Sequence, residues 1–209
     1  MLEVGIVDYG AGNIASVMKA VDYAGANPVL VSTPEEISKC DKLVLPGVGA
    51  SGQAIEKLRN KNLDHALKEA VRDRGTPLLG ICVGMQLLAE DMYEFGHYKG
   101  LGWIPGKVIS LQDYDVKNRP VPHMGWSDVS FRGNIKSLSS KLGNHRAFYF
   151  AHSFTLVTDR DNIVNASVEY EKELVAGVSF DTVSAFQFHP EKSQVAGDIL
   201  MKWFIDWKP

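Results

Sequence analysis

Cysteine is scarce in this sequence: Cys40 and Cys82 are the only two in 209 residues. That count is too low for a disulfide framework, and without a CxxC pair it offers no structural zinc motif. Charge of one sign is also lacking. A net charge of −3 provides neither the basic stripe of a nucleic-acid binder nor the imbalance of a disordered chain, so no nucleic-acid partner is expected. No apolar run approaches the ~20 residues of a membrane span. The start, Met1-Leu2-Glu3-Val4-Gly5, has an acid where a signal peptide has basic residues, and no cleavage site follows. There is no internal repeat, low-complexity stretch or linker. The expectation is one domain over residues 1–209, in a reducing and cytoplasmic setting, with no membrane association.

What is present is an alternation of short apolar β-branched runs with helical stretches. Residues 2–8, 29–31, 41–45 and 76–81 read as strands buried in a parallel sheet. Helical spacing follows the glycine-rich turn Tyr9-Gly10-Ala11-Gly12-Asn13, begins again at Thr33-Pro34-Glu35-Glu36, and runs from about residue 53 to 74. A further helix begins at Cys82. This order predicts a doubly wound α/β sheet. After about Gly96 the pattern changes. Strand-like runs at 107–111, 121–129, 147–154, 163–168 and 174–180 predict an antiparallel extension, so the sheet is mixed. Residues 183–188 form another strand, and a last helix carries Ile199, Leu200, Trp203 and Phe204 on one face.

The sharpest local feature is Gly80-Ile81-Cys82-Val83-Gly84, a G-x-nucleophile-x-G pattern between strand and helix. A lone cysteine is more often a small buried hydrophobe, and Cys40 reads that way. The flanking glycines, the strand before and the helix after reverse those odds for Cys82. A tight turn there presents the thiol at a helix N-terminus, and the N–H of Val83 points where an oxyanion would form. Of the six histidines, only His189 follows a strand end in a turn with an acid, Glu191, two residues on. Chemistry in such sheets gathers beyond the carboxyl ends of the strands. Cys82, His189 and Glu191 are therefore the candidate triad. Pro46-Gly47-Val48-Gly49 also follows a strand, and Val48 or Gly49 is placed to give the second oxyanion donor. It lacks the Lys-Ser/Thr of a phosphate-binding P-loop.

GICVGMQLL around Cys82, FQFHPEKS around His189 and PGVGA at 46–50 together resemble the class I, triad-type glutamine amidotransferase domain, from Val4 to about Phe204. Within that class, VDYGAGN at 7–13, PGVGA, and PHMGW at 122–126 resemble the glutaminase subunits of imidazole glycerol phosphate synthases. The resemblance implies a flavodoxin-like layer and attack of Cys82 on the side-chain amide of L-glutamine. It also implies substrate contacts from Gln86, Glu94, His152, Ser153 and Phe154, where Phe154 stands in place of a frequent Tyr. No cofactor and no metal are implied. The implied partner is a (β/α)₈-barrel cyclase subunit that receives ammonia in a heterodimer serving histidine biosynthesis. A paralogous glutaminase feeding a sugar amidotransferase of surface-polysaccharide synthesis carries the same triad. Pro122-His123-Met124-Gly125-Trp126 is a candidate docking face, or else a strand with an ordinary buried Trp.

Overall fold

The computed structural model describes the backbone of residues 1–209 and the side chains of all but residues 134 and 136. The first part runs β1 (Glu3–Val7), α1 (Ile14–Tyr23), β2 (Asn27–Val31), α2 (Pro34–Ile37), β3 (Lys42–Leu45), α3 (Ser51–Asn60), α4 (Leu63–Leu67), β4 (Leu78–Ile81) and a single helical turn, α5 (Val83–Gln86). There follow β5 (Ala89–Met92), β6 (Tyr98–Lys99), β7 (Ile104–Ser110), β8 (His123–Phe131), α6 (Lys136–Leu142), β9 (Ala147–His152), β10 (Phe154–Val157), β11 (Val164–Tyr170), β12 (Lys172–Phe180), β13 (Val183–Phe186) and α7 (Gln194–Asp206).

Among the described residues these strands make two sheets. The larger has the order β2-β1-β3-β4-β13-β12-β11-β8-β9, and the smaller β10-β7-β5-β6. From β2 to β13 every neighbouring pair is parallel, and from β13 to β9 every pair is antiparallel. This is the mixed sheet with an antiparallel extension that the apolar pattern predicts. β3, β4 and β13 are buried at every position, as parallel strands covered by helices on both faces must be. One buried position is charged. The Lys42 stem lies in the core, and burial lowers the pKa of its amine. Its Nζ donates to the carbonyls of Phe204 and Trp207, where the open C-terminal end of α7 welcomes a cation.

Three of the expected elements are divided or cut short. The helix expected over 53–74 is broken into α3, α4 and a π-helical turn at Lys68–Asp73. The core-facing residues explain the break. Leu58 and Leu63 are both fully buried but five apart, which on a continuous helix swings the apolar stripe by ~140°. A left-handed Asn62 (φ 55°) resets the direction. The helix after Cys82 lasts one turn, because the chain enters β5 through the buried run Leu87-Leu88-Ala89. The run 147–154 is two strands. It breaks at Ser153, where the chain leaves the large sheet for the small one. Helix α6, built of Lys, Ser and Leu, lies outside the expected pattern.

Candidate active site

β3, β4 and β13 are neighbours, and their registers align Leu45 with Gly80 and Phe186 with Ile81. The segments leaving their carboxyl ends must therefore meet: Pro46–Gly49 from β3, Cys82 from β4, and Gln187–Glu191 from β13. A cleft of about 470 Å³ opens there. Its lining includes Val48, Gly49, Cys82, Val83, Gln86, Glu94, His152, Ser153, Phe154 and His189. These are all the site residues selected from the sequence except Glu191, which stands directly behind His189.

The turn at Cys82 is strained. Its backbone has φ 53° and ψ −109°, outside the usual regions for a side-chain-bearing residue. A hydrogen bond from its N–H to Phe186 O (2.8 Å) fixes it to β13. The flanking glycines have different reasons. A Cβ on Gly80 would lie 2.8 Å from that of Ala185, and one on Gly84 would run into the Leu45 carbonyl. Gly47 lets the 46–49 segment approach equally closely, since a Cβ there would meet Val83 Cβ at 2.7 Å and the Gly84 nitrogen at 2.8 Å. The segment is anchored at its start by the buried Tyr9 hydroxyl, which donates to Pro46 O (2.8 Å). Burial raises the pKa of that phenol, with the nearby Cys82 and Asp8 adding to the effect.

His189 is 2% exposed. Its Nδ1 lies 2.9 Å from Glu191 Oε1, and the Glu191 side chain is itself buried. Burial alone would lower the imidazole pKa. Hydrogen bonds to Cys82 and to Glu191 outweigh it and raise the value to about 9, so the ring is held as imidazolium at neutral pH. The backbone is tied down as well. His189 N–H donates to Tyr149 O (2.9 Å), and the buried Ser193 hydroxyl donates to His189 O (2.6 Å) while accepting from Tyr149 N–H (3.0 Å).

The far wall is a chain of amides. Gln86 Nε2 donates to Phe154 O and to Gln187 Oε1, both at 3.1 Å, and Gln187 Nε2 points at Cys82 Sγ, 3.6 Å away. Glu94 closes the rim, where its Oε2 accepts from the Ser51 N–H (2.7 Å) at the start of α3. Phe95 beside it is 87% exposed. Cys40 lies elsewhere, buried under α2 with its Sγ 3.4 Å from Glu36 O.

A glutamine amidotransferase class-I family model matches residues 5–207. The chain belongs to the class I glutamine amidotransferases. Among curated members of known name, it is 40% identical to imidazole glycerol phosphate synthase subunit HisH of Zymomonas mobilis, over 99% of this chain and 96% of that one. It is 41% identical to subunit HisH 1 of Campylobacter jejuni, over 97% and 98%, and 40% identical to subunit HisH of Aquifex aeolicus, over 95% and 94%. In fold it resembles a solved glutamine amidotransferase (TM-score 0.72, 19% identity, 97% of each chain) and the PurLQS structure of Thermotoga maritima (TM-score 0.73, 17% identity, 98% of each). The motifs of this class I glutamine amidotransferase contain Tyr9, His123 and Gln187 without giving any of them a role in the site. No spacing in the sequence marks Gln187; the register places it, because it follows Phe186 as Cys82 follows its partner Ile81. Tyr9 and His123 act through contacts 37 and 29 residues away, which no local pattern records.

Proposed function

We propose that this chain is the glutaminase subunit of an imidazole glycerol phosphate synthase, acting as one glutamine amidotransferase domain over residues 1–209. One observation carries the reading: a thiol on a strained strand-to-helix turn shares a single cleft with the His189–Glu191 pair and with amide and carboxylate groups suited to an amino acid. Likeness over nearly the whole length to subunits of that synthase supports the pathway. Glutamine enters with its side-chain amide toward Cys82, and Gln86, Glu94 and the 152–154 corner hold its amino-acid end. The Cys82 thiolate, with the His189 imidazolium as counter-ion, attacks the amide carbon. The N–H of Val83 and the Val48–Gly49 segment stabilise the oxyanion. His189 gives its proton to the leaving nitrogen, ammonia departs and a glutamyl thioester remains. His189 then takes a proton from water, which cleaves the thioester to glutamate. Glu191 orients the ring throughout.

Ammonia passes to a (β/α)₈-barrel cyclase subunit in a heterodimer that serves histidine biosynthesis. The docking face proposed for it is the exposed side of β8, where Met124 is 64% and Trp126 47% exposed, so that Trp is not a core residue. A thiol nucleophile needs a reducing compartment, which supports the cytoplasm. Glutamate release should be slow for the chain alone and rise sharply with the cyclase subunit and its ligand. Cys82→Ala should abolish it, and undiminished release from that variant would overturn the assignment.

A further inference from the structure

β8 and β9 face each other with His123 directly opposite His152. Both rings are buried, at 1% and 5% exposure, and His152 lines the cleft whereas His123 does not. The His123 ring is clamped between Phe150 (centroids 4.5 Å apart) and Tyr170 (3.9 Å). His152 Nδ1 lies 2.8 Å from Phe154 O, His152 Nε2 lies 3.0 Å from His123 Nδ1, and His123 Nε2 lies 2.9 Å from Ser127 Oγ. Only one arrangement of protons on neutral rings satisfies this chain. A carbonyl only accepts, so His152 Nδ1–H donates to Phe154 O and its Nε2 must accept. His123 Nδ1–H then donates to it, and the Ser127 hydroxyl donates to His123 Nε2. A second proton on His123 would still find the Ser127 hydroxyl as acceptor, so it is the burial of both rings that holds them neutral.

The carbonyl at the end of this chain also accepts the Gln86 amide, whose other bond runs to Gln187 beside the Cys82 sulfur. The chain therefore fixes the corner at residues 152–154, where the strand leaves one sheet for the other, and with it the orientation of the Gln86 amide. At its outer end it is rooted in β8, next to the exposed Met124 and Trp126. We infer that His123 is a positioning residue for glutamine: without touching substrate, it donates to His152 Nε2, which steadies the His152 ring bonded to the wall of the cleft and couples that wall to β8.

This inference rests on the glutaminase reading, and the experiment separates the two. His123→Phe keeps the ring stack and removes the donor, leaving His152 Nε2 buried and unsatisfied. His123→Asn returns an N–H close to the lost one. With the cyclase subunit present, His123→Phe should raise KM for glutamine about tenfold and leave kcat within about twofold, and His123→Asn should restore most of the loss. Alkylation of Cys82 gives a second readout. Iodoacetamide should react with His123→Phe at the wild-type rate, and the glutamine-shaped diazoketone 6-diazo-5-oxo-L-norleucine should react about tenfold more slowly. If His123→Phe does not fold, Ser127→Ala, which removes the donor to His123 Nε2 and so loosens the outer end of the chain, should show the same selectivity at about threefold. Unchanged KM with unchanged diazoketone labelling would overturn the inference, as would equal slowing by both reagents. A wild-type chain that takes iodoacetamide on Cys82 but never the diazoketone would overturn the glutaminase reading itself.

Discussion

Cys82, the proposed nucleophile, also carries the strain. Its positive φ is held by glycines on either side, and Gly84 is the less replaceable because its missing Cβ leaves room for the Leu45 carbonyl. Gly84→Ala should therefore push α5 off β3, cost on the order of 1–3 kcal/mol in denaturant unfolding, and lower kcat by tilting the Val83 N–H away from the oxyanion position. His189 is the complementary case. Its imidazolium, with a pKa raised to about 9, is the counter-charge in the proposed mechanism. His189→Gln removes it, and iodoacetamide labelling of Cys82 at pH 6 should slow by about tenfold or more. Cys82, His189 and the 46–49 segment were legible in the sequence because glycines and a His-x-Glu turn at strand ends are local patterns with a local physical cause. Gln187 was not, because one glutamine after a strand has no spacing to mark it. Only its register beside Cys82 gives it a place.

At the scale of elements, the strand–helix alternation up to β4 was legible because each strand is a short apolar run and most of the turns have glycine or proline. The interruptions were not. The change of helix direction at Asn62 and the break at Ser153 depend on which face another element covers. Helix α2 shows the opposite situation. The Thr33 hydroxyl accepts from Glu36 N–H (3.3 Å) and the Glu36 carboxylate accepts from Thr33 N–H (3.0 Å), the reciprocal cap that Thr-Pro-Glu-Glu announces. Hydrogen bonds from the backbone of Ser32 and Thr33 hold the Glu36 pKa below the usual carboxylate value. Thr33→Ala should cost ~1 kcal/mol in unfolding free energy and leave kcat and KM unchanged, because α2 follows β2 at the sheet edge, away from the cleft. A change in KM would mean that the sheet transmits strain from that edge to the site.

For the whole molecule, three histidines set opposing dependences of stability on pH. Burial lowers the pKa of His123 to about 4, with Arg119 adding to it, and that of His152 to about 3, opposed by its bond to Phe154 O and reinforced by His123 and His189. Both folded values lie below the unfolded value near 6.5, so below that pH the folded state binds fewer protons than the unfolded chain does. Their stabilisation is complete above about pH 6.5 and is lost on acidification toward about pH 3–4. His189 is raised to about 9, so its contribution is complete below about pH 6.5 and is lost as pH rises through about 9. Unfolding free energy measured across pH should therefore peak near neutrality, and His189→Gln should flatten the alkaline side alone. The same arrangement places acid chemistry and proton-free packing side by side in one cleft: His189 charged beside the thiol, His152 neutral in the facing wall. The central claim is that this cleft breaks glutamine through Cys82. Its most direct test is to mix the chain and its cyclase partner with glutamine, quench in acid, and locate the covalent product by peptide mass spectrometry. A glutamyl thioester on Cys82, absent from Cys82→Ala, is expected. Glutamate formed with Cys82 unmodified throughout, or formed equally by Cys82→Ala, would contradict the account.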